Sequence, residues 1–207
     1  MSWRLGLAAV GLAMAVPASA KSFAPRDECG AIQGADAFQM TLATAVANRD
    51  EAMLLPLFAP DVLLDFGGGS GRELLQKRLN DPDYRLWDQL DELQRLGCGG
   101  DATGFYSPWY WGEDLGTDDP FMTYLANDRA VPLRASPTEG APVLRLLEWD
   151  VVTLIDDEDD GSKFAEVAVG RMRGFVAWSD LRSQISYRML VGRGDGQWRV
   201  TALVAGD

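Results

Sequence analysis

The sequence predicts an α+β fold, in which helices cover a curved sheet and a small β-barrel is inserted near the end of the chain. Apolar residues recur at helical spacing in several stretches between residues 35 and 96. Between residues 131 and 181, short apolar runs alternate with turn residues and show no helical period, which is typical of a small barrel. Residues 185–204 then form two alternating runs around Asp195-Gly196, a strong hairpin signal.

The elements before the barrel are mostly helical. We expect helices at residues 35–47, 51–58, 72–79 and 84–96, with a short strand at 62–66. Helices of this kind need a sheet to cover, and this half of the chain offers few strands. We therefore expect the last hairpin to return to the first domain, which would comprise residues 22–127 and 184–207 on either side of a barrel at 128–183.

The first 20 residues have the pattern of an export signal. Arg4 supplies the positive start, residues 5–16 are apolar but too short to span a bilayer, and Pro17 ends the run. Small residues at 18–20 fit a cleavage site, and Lys21 follows where a lipoprotein would have cysteine. We expect an exported protein in a bacterial periplasm, with no membrane span and no lipid anchor.

Composition excludes several classes of function. The chain has a net charge of −12, which disfavours nucleic acid and anionic lipid as partners. It has no histidine, so Ser-His-Asp and Cys-His catalysis and histidine-bearing zinc sites are excluded. Chemistry based on one carboxylate or a pair of carboxylates stays open. We expect no cofactor.

Cys29 and Cys98 are the two cysteines of the chain. An isolated pair in an oxidising compartment usually forms a disulfide, which is the pairing we expect. Two free buried thiols are the alternative. A redox pair is less favoured because the Cys-x-x-Cys spacing is absent.

Two stretches resemble ligand loops only superficially. Residues 67–71 are glycine-rich between a strand and a helix, but they match neither the dinucleotide nor the phosphate-loop pattern. Residues 156–161 are acidic, yet Val167 stands where a calcium loop requires glutamate. We expect a glycine turn and an acidic hairpin tip, and no metal site.

The densest aromatic cluster lies at residues 104–111. If this stretch is a strand, Tyr106 and Tyr110 share one face and Trp109 lies on the other. Aromatic strands are more often core than ligand platform, but a cleft for a ring, sugar or peptide is the alternative. Tyr106, Trp109 and Tyr110 are therefore candidate ligand contacts.

The predicted barrel resembles the bacterial SH3 (SH3b) family. The resemblance lies in Val-Pro-Leu-Arg-Ala-Ser-Pro at 131–137, Leu-Glu-Trp-Asp-Val-Val at 147–152, and Gly-Phe-Val-Ala-Trp-Ser-Asp-Leu at 174–181. Phe175 departs from the family, which usually has Trp or Tyr at that place. The resemblance implies recognition of a peptide or a cell-wall fragment, with Trp149 and Trp178 as candidate contacts on the barrel.

The remainder resembles the NTF2-like (cystatin-like α+β) superfamily, on its early helices, the strand near Phe66 and the last hairpin. That superfamily contains both enzymes and binding domains. The first hypothesis is a non-enzymatic exported binding protein. The alternatives are an isomerase- or dehydratase-type enzyme that uses Asp65 with Tyr106 or Tyr187, and a structural partner in envelope assembly.

Overall fold

The computed structural model describes residues 22–156 and 161–206. The predicted export signal, residues 1–20, lies outside the described residues, and so do residues 157–160 of the acidic turn. No helix in the described part of the chain is both long enough and apolar enough to cross a bilayer.

Four α-helices occur among the described residues: α1 Ala35–Ala47, α2 Glu51–Leu54, α3 Arg72–Leu79 and α4 Leu86–Arg95. The bounds of α1 and α3 agree with the predicted ones. Helix α2 is capped by Asp50, the residue before its first turn, whose side chain accepts a hydrogen bond from the Met53 amide at 3.0 Å. It is shorter than predicted because Pro56 follows, and the chain passes into a 3₁₀ turn at Leu55–Leu57.

Thirteen strands are described: β1 Arg26–Asp27, β2 Phe58–Leu63, β3 Gly97–Asp101, β4 Gly104–Ser107, β5 Thr123–Ala126, β6 Val131–Arg134, β7 Val143–Leu147, β8 Val151–Leu154, β9 Phe164–Val169, β10 Met172–Ala177, β11 Leu181–Ser183, β12 Arg188–Gly194 and β13 Gln197–Val204. Strand β2 begins and ends earlier than the predicted 62–66. The chain turns where the Leu64 amide donates to the Gly69 carbonyl at 2.8 Å.

The first sheet has six strands in the order β1-β3-β4-β12-β13-β2. Strand β1 is parallel to β3 and β2 is parallel to β13, whereas the other pairs are antiparallel. The last hairpin, β12 and β13, lies inside this sheet, with its neighbours β4 and β2 contributed by the first half of the chain. The sheet is therefore assembled from segments on both sides of residues 123–183.

The second sheet has seven antiparallel strands in the order β11-β5-β8-β9-β10-β6-β7. It includes β5, so this unit begins before the predicted boundary at residue 128. Among the described residues, β11 and β7 are the two edge strands of this sheet: β11 pairs with β5, and β7 pairs with β6. The two edges do not pair with each other, so the sheet does not close into the predicted barrel. Strand β5, which the sequence did not predict, lies between β8 and β11 and pairs with both.

Three groups of buried side chains form the core. One lies between the helices and the first sheet and includes Phe38, Leu42, Leu90 and Phe105. A second lies within the second sheet. The third joins the two sheets and consists of Phe23, Leu96, Trp109, Tyr110, Leu125 and Trp149. Because burial of these apolar side chains is favourable, the third group holds the two sheets together.

Cys29 and Cys98 form a disulfide, with their Cα atoms 5.7 Å apart, which confirms the predicted pairing. The bond ties the 3₁₀ turn Cys29–Ala31 to β3. Gly97 lies beside it with φ of +78°, and a Cβ at this position would collide with the Arg26 carbonyl. The residue must be glycine for β1 to approach β3 this closely.

The disulfide encloses a long loop, and its removal gives the first prediction. The variant Cys29→Ala/Cys98→Ala should lose about 4 kcal/mol of unfolding free energy, because a cross-link across 69 residues restricts the unfolded chain. Urea unfolding followed by circular dichroism measures the change. Reduced wild-type protein is the control and should unfold at the same urea concentration as the variant. Equal stability of the oxidised wild type and the variant would contradict the prediction.

Candidate functional site

An open groove of about 670 Å³ lies on the second sheet around Trp178. Three segments that are distant in sequence form it: β6 with its following loop, the start of β9 with the two residues before it, and the end of β10 with the 3₁₀ turn Trp178–Asp180. The lining residues are Pro132, Arg134, Glu139, Ser162, Lys163, Phe164, Ala177, Trp178, Ser179 and Asp180. We call this feature the Trp178 groove.

Trp178 is half-buried and held from two directions. Its ring packs edge-on against Tyr124, with ring centroids 5.7 Å apart and an interplanar angle of 64°. Its backbone amide donates to the Lys163 carbonyl at 3.1 Å, which joins the 3₁₀ turn to the start of β9. An aromatic ring fixed in this way offers contact area to a ligand with little loss of side-chain entropy.

The groove carries charges of both signs. Arg134 and Lys163 contribute positive charge, and Glu139 and Asp180 contribute negative charge. Arg134 Nη1 donates to the Ala141 carbonyl at 3.3 Å, which holds its side chain along the loop. A surface with both donors and acceptors beside an aromatic ring can bind the backbone and the side chains of an extended peptide.

Three of the predicted ligand contacts are buried between the two sheets. Trp109, Tyr110 and Trp149 are exposed by only 1%, 3% and 4%. Strand β4 ends at Ser107 because Pro108 has no amide to donate, and a 3₁₀ turn at Trp109–Gly112 then carries the aromatic rings inward. The alternation expected for 104–111 is therefore wrong beyond Ser107, and these three side chains cannot contact a ligand in this structure.

Tyr106 lies on the face of the first sheet opposite Phe105, away from the helices. Its ring packs across Gly99 and Gly112, where a Cβ would leave no room for it. Burial, reinforced by the carboxylates of Glu113, Glu28 and Asp101, raises the pKa of Tyr106. The hydroxyl therefore remains protonated at neutral pH.

Asp65 and Tyr187 lie in a different neighbourhood, together with Arg78. The carboxylate of Asp65 accepts a hydrogen bond from the Gly69 amide at 2.8 Å and forms an ion pair with Arg78. The Gly69 amide and the Arg78 guanidinium hold the pKa of Asp65 below its ordinary value. Burial raises the pKa of Tyr187, while the positive charge of Arg78 opposes that increase. The structure brings Asp65 and Tyr187 into one region but places Tyr106 among other residues.

No metal-binding set emerges from residues 22–156 and 161–206. The carboxylate of Asp27 and the sulfurs of Cys29 and Cys98 lie within 4.8 Å of one another. The two sulfurs are joined in the disulfide, so neither is available as a thiolate ligand.

A buried network around Arg182 connects the second sheet to the helices. Arg182 Nη1 donates to Glu92 Oε2 at 2.6 Å, Nε donates to the Tyr110 hydroxyl at 3.0 Å, and Nη2 donates to the Tyr187 carbonyl at 2.6 Å. Burial raises the pKa of Tyr110, so its hydroxyl stays protonated. The network follows directly after the 3₁₀ turn that carries Trp178.

No family model and no curated protein sequence matches this chain. A solved structure that is similar in part is a Nostoc punctiforme protein of unknown function with a cystatin-like fold. The two chains are 10% identical, the alignment covers 83% of this chain and 86% of that one, and the TM-score is 0.28. A likeness at this level assigns neither a family nor a function.

Part of the groove is predictable from the sequence, and part of it is not. Trp178 and Asp180 lie in the closing motif of the SH3b resemblance, and Pro132 and Arg134 lie in its opening motif. Because the first and last motifs belong to one resemblance, the sequence could have predicted that these four residues lie close together. Tyr124, which supports Trp178, had no such signal because β5 is short and its pairing partners are distant in sequence.

The environment of Asp65 gives the second prediction. Its carboxyl should titrate below the ordinary pKa of 3.8 in a carbon-detected NMR titration. Because the folded-state pKa is lowered, the carboxylate stabilises the fold above the ordinary value, and this contribution is lost as pH falls through the lowered one. The variant Arg78→Met should raise the midpoint of Asp65, because it removes the ion pair that favours the carboxylate. A midpoint near neutral pH would contradict this account and would support a general base at Asp65.

Proposed function

We propose that this chain is an exported, non-enzymatic protein that binds an extended peptide or a peptide-bearing cell-wall fragment in the Trp178 groove. The observation that carries the proposal is the half-buried Trp178 ring, which is fixed by Tyr124 at the base of an open groove. Aromatic residues that are rigid and partly exposed in a concave surface are the usual anchors of peptide recognition.

The proposal includes an SH3b-like origin for the unit that contains the second sheet, which comprises the predicted residues 128–183 and strand β5 before them. Its support is the order of elements: antiparallel β8, β9 and β10, followed by the 3₁₀ turn Trp178–Asp180 and the short β11. The opening and closing sequence motifs fall on β6 and on β10 with the turn. Both motifs thereby contribute to the lining of the groove.

An NTF2-like origin is proposed for the unit that contains the first sheet, which is the predicted 22–127 and 184–207 without strand β5. The support is that the helices pack on one face of a six-stranded sheet and that the last hairpin lies within that sheet. Export to a bacterial periplasm is proposed from the pattern of residues 1–20. The Cys29–Cys98 disulfide agrees with an oxidising compartment.

The enzyme alternative has little support. Asp65 is paired with Arg78, and a lowered pKa makes its carboxylate a weak base at neutral pH. Tyr106 lies on the opposite face of the sheet from the core that Tyr187 contacts. Of the two tyrosines in that alternative, Tyr187 lies in the region of Asp65, whereas Tyr106 does not, so Asp65 and Tyr106 do not form one site.

The envelope-assembly alternative is favoured by one observation. The edge strand β7 exposes Val143, Leu144 and Leu146 by 47%, 47% and 57%. Exposed apolar edge strands can pair with another chain. The variant Leu146→Lys distinguishes the two functions, because it changes this edge and leaves the groove lining intact.

Removal of the Trp178 ring tests the proposal. Binding would be measured to purified peptidoglycan and to an array of extended peptides, with intrinsic fluorescence for the hits. Trp178→Ala should weaken binding at least about tenfold, because a buried aromatic anchor is typically worth 2 kcal/mol or more. Trp111→Ala is the matched control, since Trp111 is an exposed tryptophan that does not line the groove. Equal binding by Trp178→Ala and wild type, or binding lost only in Leu146→Lys, would contradict the proposal.

A further inference from the structure

A second cavity of about 540 Å³ opens between α1 and strands β3, β4 and β12 of the first sheet. Leu42, Cys98, Phe105 and Met189 form its floor and are exposed by only 1–4%. The size falls within the range of small-molecule sites, which is roughly 300–1,000 Å³. We call this feature the α1 cavity. It shares no lining residue with the Trp178 groove.

The rim of the α1 cavity is polar and acidic. Asp27 and Asp36 contribute carboxylates, Gln39 and Gln94 contribute amides, and the lining contains no Lys or Arg. In the described parts of the chain, neither carboxylate forms an ion pair with a basic side chain. Such a rim attracts a cation and repels an anion, and the net charge of −12 acts in the same direction.

The side of the α1 cavity next to Cys98 is fixed before any ligand arrives. The disulfide ties Cys98 in the floor to the 3₁₀ turn Cys29–Ala31, and Asp27 Oδ1 accepts a hydrogen bond from the Cys29 amide at 3.0 Å. Ser107 Oγ donates to the Leu93 carbonyl, so this buried hydroxyl is already satisfied. The deep part of the cavity therefore offers apolar contact, and the polar contacts are confined to the rim.

We propose that the α1 cavity binds a small amphiphile with a cationic head group. The apolar part enters the floor formed by Leu42, Phe105 and Met189, and the cation lies at the rim beside Asp27 and Asp36. Burial of the apolar part provides affinity, and the two carboxylates discriminate by charge. This site is separate from the Trp178 groove, so the two proposals fail independently.

Three probes with the same alkyl chain test the charge preference. Hexyltrimethylammonium, hexanesulfonate and hexanol would be titrated into the full chain, with binding followed by the methyl NMR signals of Met40 and Met189. The ammonium probe should bind at least about tenfold more tightly than the sulfonate, since the carboxylates of Asp27 and Asp36 attract a cation and repel an anion. Equal binding of cation and anion, or no binding of the cation, would overturn the proposal.

Matched variants locate the site. Asp27→Asn/Asp36→Asn keeps side-chain size and should reduce the cation preference about tenfold, while Asp61→Asn, an exposed aspartate outside the rim, should not. Ala43→Phe should block the cavity, whereas Ala47→Phe on the same helix should leave binding unchanged. Trp178→Ala should also bind the ammonium probe normally. Retention of full binding by both Asp27→Asn/Asp36→Asn and Ala43→Phe would show that the cation binds elsewhere.

Discussion

The arrangement of the two sheets depends on the buried guanidinium of Arg182. This side chain, only 5% exposed, extends from β11 and donates hydrogen bonds to Glu92 on α4, to the Tyr110 hydroxyl and to the Tyr187 carbonyl. Arginine cannot lose its proton in a protein, so each of these partners must be present for the charge to be buried. The requirement fixes β11, α4 and the segment before β12 relative to one another.

The same network supports one of the two candidate sites, the Trp178 groove. Trp178 lies in the 3₁₀ turn directly before β11, and the Asp180 carbonyl accepts the amide of Asn127, whose side chain donates to Glu92 at 3.1 Å. The turn that carries Trp178 is therefore linked through Asn127 to Glu92, the ion-pair partner of Arg182. The α1 cavity depends instead on the disulfide and on the packing of α1 against the first sheet. Separate physical means therefore support the Trp178 groove and the α1 cavity.

Local patterns predicted part of this structure, and distant pairings determine the rest. Helices α1 and α3 have the predicted bounds because apolar spacing is a property of each segment. Strands β3 and β5 were missed, since Gly97–Asp101 is glycine-rich and Thr123–Ala126 is defined by partners far along the chain. Trp109 is buried by Leu125 and Trp149, so its own neighbours in sequence could not reveal its position. A charged residue such as Arg182 carries no local signal of burial.

A double-mutant cycle at Arg182 and Glu92 tests most directly whether this pair holds the two sheets together. Free energies of unfolding would be measured by urea denaturation for Arg182→Met, Glu92→Met, the double variant and wild type. Arg182→Met should lose about 3 kcal/mol, because the largely buried Glu92 carboxylate loses its close ion pair and keeps the Asn127 amide and Arg95, which is 4.0 Å away. The double variant should recover part of this loss. A loss within about 0.5 kcal/mol for Arg182→Met, or purely additive effects, would contradict the account.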